Sequence, residues 1–164
     1  MKILLLGSDR LKEFLKSHGD EVEVHTNELS MYYAQKFDWI ISHGYRYIIN
    51  KFIVDDFRHK AINLHISYLP WNRGADPNYW SFKDKTPKGV TIHEIDYGVD
   101  DGRILYQTEV TMRWDDTLAT SYARLQESIE ALFRANWLSI RGSYHKRGDM
   151  PELENGWDTL VSEI

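Results

Sequence analysis

Residues 61–70, Ala-Ile-Asn-Leu-His-Ile-Ser-Tyr-Leu-Pro, have the pattern of a buried strand that ends in a proline turn. Because successive side chains of a strand point to opposite faces, Asn63 and His65 share one face, and the apolar side chains between and beside them share the other. A polar pair on a buried strand is costly unless it is hydrogen-bonded, and open α/β sheets place their ligands at strand ends. The pair is therefore a candidate functional site.

The rest of the chain predicts an α/β fold around this strand. Apolar runs bounded by Gly, Asp, Asn or Pro predict six strands, near residues 2–6, 21–25, 38–43, 61–66, 89–95 and 104–111. Leu11, Phe14 and Leu15 recur at helical spacing, so we expect a short helix after the first strand, capped by Ser8 or Asp9. Only one short helix fits between the second and third strands. This order predicts a doubly wound, Rossmann-like open twisted sheet, mostly parallel, with flanking helices.

A long amphipathic helix is predicted near the end of the chain. From residues 115–117 onward, apolar residues recur every three or four positions as far as Trp137, and Gly142 is expected to end the helix. Residues 142–164 then form a short C-terminal tail. No internal repeat or linker composition divides the chain, so we expect one domain over residues 1–164.

Composition narrows the class of protein. The 164-residue chain carries a formal net charge of −5 and contains zero cysteines. The acidic balance makes a nucleic-acid partner unlikely, since such binding usually rests on a basic surface. The absence of cysteine excludes a disulfide framework and thiolate catalysis, and agrees with a cytoplasmic location. The first apolar run is too short for a signal peptide, and no run approaches the ~20 residues needed to cross a bilayer, so we expect no membrane contact.

The polar residues suit one kind of chemistry if strands 61–66 and 89–95 are neighbours. Asn63 offers an amide donor, His65 an acid–base group, and Asp100 an orienting anion that favours the charged imidazole ring. Acyl transfer to an amine needs these parts, because the attack creates an oxyanion and the amine nitrogen must lose a proton. Each feature alone is weak, since a strand histidine is more often structural.

Several motifs together resemble the catalytic domain of formyltransferases that use N10-formyltetrahydrofolate. They are the Asn-x-His pair, the Leu-Pro-x-x-Arg-Gly turn, a Gly-Val-Thr-x-His strand and an Asp seven residues after its His. The resemblance runs from about residue 39 to 140. In that family the matching residues form the catalytic triad, which implies catalytic roles for Asn63, His65 and Asp100. Asp100 is preferred to Asp101 because the family's Asp lies two residues before the glycine that here is Gly102.

The resemblance also implies where the folate co-substrate binds. Main-chain groups of residues 45–49 and 96–99 are expected to hold the pterin ring. The predicted cofactor-binding residues are Tyr45, Tyr47, Ile49, Asp96, Tyr97, Gly98 and Val99. Arg73 is expected to bind an anionic group of the substrate, or else to fix the turn. His93 is expected to bind substrate as part of the pocket wall, or else to contact the catalytic residues from behind or to be a solvated strand histidine. No metal is expected, because neighbouring residues of the cluster 93–96 face opposite sides of a strand.

The amine that receives the formyl group is less well defined. The single glycine after the first strand argues against glycinamide ribonucleotide, and the net charge and the early end of the chain argue against tRNA. A nucleotide-linked amino sugar is the preferred small-molecule acceptor. The alternatives are an enzyme similar to methionyl-tRNA formyltransferase, an inactive folate- or nucleotide-binding module, and hydrolysis of the formyl donor. Trp137 and Trp157 are expected to bury either within one chain or in a homodimer contact.

Overall fold

A computed structural model describes residues 1–143 and shows one six-stranded sheet with helices on both faces. The strands are β1 (Lys2–Gly7), β2 (Glu21–His25), β3 (Trp39–His43), β4 (Ala61–His65), β5 (Gly89–Glu94) and β6 (Ile104–Glu109). The helices are α1 (Lys12–Ser17), α2 (Met31–Ala34), α3 (Lys51–Asp56), α4 (Pro77–Lys83) and α5 (Leu118–Gly142). The six predicted strands and the predicted α/β class are confirmed, with strand ends shifted by one or two residues.

The strand order β2-β1-β3-β4-β5-β6 predicts a ligand site at the carboxyl ends of the central strands. Strands β1 to β4 are joined by parallel pairings, whereas β5 runs antiparallel to both β4 and β6. The chain passes from β1 to one side for β2 and then to the other side for β3, and open sheets bind ligands at such a reversal. Strand β4 ends beside this point, so His65 lies at the favoured edge of the sheet.

The sheet separates two apolar cores, and β4 contributes to both. Ile62 and Leu64 belong to the core that packs under α1 and α5, while Ala61 belongs to the core under α2 and α3. Since residues 61, 63 and 65 share a face, Asn63 and His65 point to the side of α2 and α3. The alternation predicted for this strand is confirmed, because Asn63 and His65 lie on the face opposite Ile62 and Leu64.

Helix α5 confirms the predicted long amphipathic helix. Thr117 caps its start, because the Thr117 side chain accepts from the Thr120 backbone N–H and the Thr117 N–H donates back to Oγ1 of Thr120. The buried stripe of the helix is formed by Ser121, Leu125, Ile129, Glu130, Phe133, Trp137 and Ile140. Trp137 stacks on Phe133 and meets Trp39 edge-on, so it is buried within one chain. Trp157 and the rest of the predicted tail from 144 to 164 lie outside the described residues.

The short helices were predicted only in part. The single short helix expected between β2 and β3 is α2, but the predicted cap of α1 was wrong. Its N-cap is Leu11, whose side chain cannot accept a hydrogen bond, and Ser8 Oγ instead accepts from the Arg10 backbone N–H. Helices α3 and α4, of six and seven residues, were not predicted. In residues 1–143, no helix is both long and apolar enough to span a membrane.

Gly102 provides a test of how tightly the β5–β6 connection is packed. A Cβ atom at Gly102 would overlap the backbone oxygen of Glu94, whereas a Cβ at Gly142 would meet nothing within 4 Å. We expect Gly102→Ala to lower the free energy of unfolding by about 1–3 kcal/mol or more, because the backbone must shift. The matched change Gly142→Ala should be neutral or stabilise the helix by about 0.5–1 kcal/mol. Urea unfolding followed by circular dichroism measures both, and equal effects of the two changes would contradict the packing.

Candidate active site

Four polar side chains converge on one face of β4 and β5. Asn63 Nδ2 donates to Asp100 Oδ1 over 2.9 Å, and His65 Nε2 lies 3.6 Å from Asp100 Oδ2. His93 Nε2 lies 3.2 Å from Asp100 Oδ1. The three residues predicted to be catalytic are therefore brought together, and the expected neighbourhood of the strands at 61–66 and 89–95 is confirmed. The catalytic roles themselves stay a prediction.

Strand pairing and the following loop explain how Asp100 reaches this cluster. The antiparallel register places His93 directly opposite Asn63, so their side chains share a face. Residues 95–103 then fold back over that face, and the close approach of Gly102 to the Glu94 backbone permits the return. Asp100 has a φ of 49°, a left-handed conformation that Asp adopts more readily than most residues. The loop thereby presents its carboxylate to both strands.

The turn after β4 adds two backbone partners. His65 Nε2 donates to the carbonyl oxygen of Asn72 over 3.0 Å, and the backbone N–H of Gly74 donates to Asp100 Oδ2 over 2.8 Å. Asn72 and Gly74 have φ values of 57° and 90°, which turn these backbone groups inward. Neither contact was predicted, because residue types do not reveal where backbone groups point. The Asn-Arg-Gly turn is the signal that was available in the sequence.

Asp100 is held in its ionised form. Burial by itself would raise the pKa of this carboxyl, but the His93 hydrogen bond, the nearby His65 ring and the Gly74 N–H together lower the pKa to about 2. The Asp100 side chain is only 9% exposed, so these contacts replace most of its hydration. The site therefore carries a fixed negative charge at neutral pH.

His65 responds to burial in the opposite way. Burial lowers the pKa of its imidazole, and this effect outweighs the Asp100 charge and the Asn72 hydrogen bond, which both raise it. The expectation that Asp100 would favour the charged ring is thus overridden, because desolvation penalises the imidazolium. Since a carbonyl oxygen only accepts, the hydrogen of the neutral ring lies on Nε2, and Nδ1 keeps its lone pair.

A cleft of about 820 Å³ opens beside the cluster. One of its walls contains the seven residues predicted to bind the folate: Tyr45, Tyr47, Ile49, Asp96, Tyr97, Gly98 and Val99. The hydroxyl of Tyr45 donates to the Asn27 carbonyl oxygen and that of Tyr97 to the Asp55 carboxylate, so both phenols are bonded within the protein. Because these two hydroxyls already have partners, the side chains are suited to form a wall of the cleft. This agrees with the expectation that main-chain groups of residues 45–49 and 96–99 bind the pterin ring.

A second part of the cleft lining was not predicted. It is built from the start of α4 and from one stripe of α5, where Leu118, Tyr122 and Gln126 follow each other at four-residue intervals. Leu118 and Tyr122 remain about half exposed. This stripe lies beside the buried stripe of the same helix, and its spacing was visible in the sequence but attributed to the core alone.

Arg73 and His93 occupy different positions. Arg73 Nη1 pairs with Asp101 Oδ1 at 3.3 Å. Arg73 is not among the described residues that line the cleft. His93 lines the cleft but is only 2% exposed. Its neighbour Glu94 binds Arg103 and His59 instead, so the donor cluster at 93–96 divides between two faces. Among residues 1–143, His, Asp and Glu form no group of three or more that could hold a metal ion.

An open α/β sheet with a polar cluster at a strand end and a cleft beside it is an arrangement in which α/β proteins bind small molecules. The chain belongs to the formyl transferase family, whose sequence model matches residues 11–135. The family resemblance seen in the motifs is thereby confirmed.

The chain is similar to individual curated formyltransferases. The dTDP-4-amino-4,6-dideoxyglucose formyltransferase of Mycobacterium bovis is 32% identical over 120 residues, which are 73% of this chain and 50% of that protein. A methionyl-tRNA formyltransferase of Anaeromyxobacter dehalogenans is 39% identical over 89 residues, 54% of this chain and 28% of that one. The chain therefore spans half or less of the length of these curated relatives.

A solved structure is more similar. The formyltransferase PseJ from Anoxybacillus kamchatkensis, in complex with UDP-4,6-dideoxy-4-formamido-L-AltNAc and tetrahydrofolate, is 55% identical with a TM-score of 0.83. The match covers 86% of this chain and 77% of that chain. The folds agree over nearly the whole described region.

The lowered pKa of Asp100 predicts a specific pH dependence of stability. The folded-state pKa of about 2 lies below the ordinary value of 3.8, so the stabilisation is complete above 3.8 and is lost as the pH falls toward 2. The difference in unfolding free energy between the wild type and Asp100→Asn should shrink by about 2 kcal/mol over that interval. Urea titrations at a series of pH values measure it, and parallel curves for the two proteins would contradict the assignment.

Proposed function

We propose that this protein transfers the formyl group of N10-formyltetrahydrofolate to the primary amine of a nucleotide-linked amino sugar. The observation that carries the proposal is the convergence of Asn63, His65 and Asp100 at a cleft with two separate walls. The similarity to PseJ, which was solved with a formamido sugar nucleotide and tetrahydrofolate, supports this choice of both substrates. A volume of about 820 Å³ is large for a small-molecule site, which suits two substrates side by side.

The charge states of the cluster suggest how the work is divided. The amine nitrogen loses a proton when it attacks, and the nitrogen that releases the formyl group gains one, so the accepting group must also return it. A carboxylate with a pKa of about 2 is a weak base, whereas the neutral His65 ring has a lone pair on Nδ1. We therefore assign proton transfer to His65, orientation of its ring to Asp100, and stabilisation of the developing negative charge on the formyl oxygen to the amide of Asn63.

The two walls suggest where each substrate binds. Residues 45–49 and 96–99 form the folate side, in line with the family resemblance, so the acceptor is left with the side of α4 and α5. There the exposed ring of Tyr122 and the amide of Gln126 offer a stacking surface and a hydrogen-bonding group. Both features suit a sugar or a base more than a bare amine. Arg73 remains a candidate for an anionic substrate group, although its pairing with Asp101 favours a role in fixing the turn.

Other functions follow from different outcomes of the same assays. The similarity to the Anaeromyxobacter enzyme makes methionyl-tRNA the second acceptor to test. Tight folate binding in calorimetry without product formation would indicate an inactive binding module, and formate release without acceptor would indicate hydrolysis of the donor. A cytoplasmic location and a homodimer remain part of the proposal as predicted from the sequence.

The first experiment measures formyl transfer with a panel of UDP- and dTDP-linked amino sugars, with the formylated product identified by mass. Replacing Asn63, His65 or Asp100 by Ala should each lower kcat by about 10²- to 10⁴-fold, because a group used in the transition state is lost. The exposed His18, which bonds to the Phe14 carbonyl on α1, supplies the control change His18→Ala. Wild-type rates in all three variants, with the control also active, would reject the catalytic assignment.

A second experiment tests the acceptor wall. We expect Tyr122→Ala to raise KM for the acceptor about tenfold, the equivalent of about 1.4 kcal/mol of lost contact, while KM for the folate stays unchanged. Leu138→Ala is the matched control, since Leu138 is 60% exposed on the same helix outside the cleft. An increase confined to the folate KM would reverse the assignment of the two walls.

A further inference from the structure

We propose that His93 is a positioning residue that holds the Asp100 carboxylate and the Asn63 amide in their working orientation, instead of binding substrate directly. The inference rests on the proposed function and deepens it. His93 is only 2% exposed and stands opposite Asn63 in the strand register. A side chain this buried acts mainly through the groups that it contacts.

The orientation of the His93 ring is determined by the backbone. Nδ1 lies 2.8 Å from the carbonyl oxygen of Glu94, and because that oxygen only accepts, Nδ1 carries a hydrogen. The ring is thereby fixed with Nε2 toward the site. Nε2 lies 3.2 Å from Asp100 Oδ1, which only accepts, and 3.3 Å from Asn63 Nδ2, which only donates, so one nitrogen contacts two members of the proposed triad. A hydrogen on Nε2 makes the bond to Asp100, and a lone pair there makes the bond to Asn63.

The contacts on Asp100 divide between its two oxygens. Oδ1 contacts Asn63 and His93, while Oδ2 accepts from the Gly74 N–H and lies 3.6 Å from His65. Fixing Oδ1 thus leaves Oδ2 directed at the imidazole that is assigned the proton transfer. Without His93, Oδ1 of Asp100 would retain the Asn63 contact alone. The left-handed backbone of Asp100 is held by the contacts around it, so the loss of one contact affects its position.

The charged groups around Asp100 predict what the loss of His93 would change. Burial raises the pKa of Asp100, and the His93 hydrogen bond is the foremost of the contacts that bring it down to about 2. His65 on β4 and the Gly74 N–H also lower this pKa, and the adjoining Asp101 is paired with Arg73. On β5, Glu94 is bonded to Arg103 and His59. Removal of the His93 contact should therefore move the pKa of Asp100 toward its ordinary value of 3.8.

Two variants separate the two ring nitrogens. His93→Asn places an amide near the position of Nδ1 and keeps the contact with Glu94 alone, whereas His93→Gln can place an N–H near Nε2 and keep the contact with Asp100. We expect His93→Asn to lower kcat about 10- to 100-fold with the folate KM within about twofold, because misplaced catalytic groups lose rate more than binding. His93→Gln should retain kcat within about fivefold, and His18→Asn is the histidine control. Wild-type kcat in His93→Asn would overturn the proposal.

A measurement without substrate separates this inference from the proposed function. The pKa of Asp100 is read from carbon-13 NMR of aspartate-labelled protein, with the resonance assigned by its loss in Asp100→Asn. We expect a raised pKa in His93→Asn and a value near that of the wild type in His93→Gln, even if no acceptor is formylated. An unchanged pKa in a folded His93→Asn protein overturns the positioning role. If His93→Asn does not fold, His93→Gln supplies the test. A raised Asp100 pKa in His93→Gln, or a loss of kcat in it as large as that of Asp100→Asn, then overturns the positioning role.

Discussion

The buried charge of Asp100 is the constraint on which the active site depends. A carboxylate that is 9% exposed stays ionised only where hydrogen-bond donors replace water, and here the donors come from three separate segments. Asn63 lies on β4, His93 on β5, and Gly74 in the turn that follows β4. Because each donor belongs to a different element, the charge is stabilised only when strand pairing, turn and loop are all formed. The same contacts therefore define the fold and the site.

Burial favours the neutral form of both central titratable groups, but only His65 remains neutral. It lowers the pKa of His65 and leaves that ring neutral, while the donors around Asp100 overcome burial and leave that carboxyl ionised. Separate environments for neighbouring titratable groups are the usual means by which a site obtains a fixed charge and a proton acceptor side by side. The arrangement suits a transfer in which a proton is taken from one nitrogen and returned to another.

The faces of β4 and α5 each serve two purposes. On β4, Ile62 and Leu64 pack in the core with α5, while Asn63 and His65 face Asp100. A slip of one residue in register would exchange these faces and bury the polar pair without partners. On α5, the core stripe through Leu125 lies beside the exposed stripe of Tyr122 that forms one wall of the cleft. Packing and binding thus depend on the same alignment.

The pattern of residue types was sufficient for the six strands, the long helix and the shared face of Asn63 and His65, because side-chain periodicity is a local property. The resemblance to the family, through the distance of its Asp from Gly102, favoured Asp100 over Asp101, and Asp100 is the one that contacts Asn63 and His93. Other features came only with the tertiary structure. They are helices α3 and α4, the backbone groups of Asn72 and Gly74, the second wall on α5, and the lowered pKa of His65. These depend on distances and burial between residues far apart in the chain, and local sequence does not contain them.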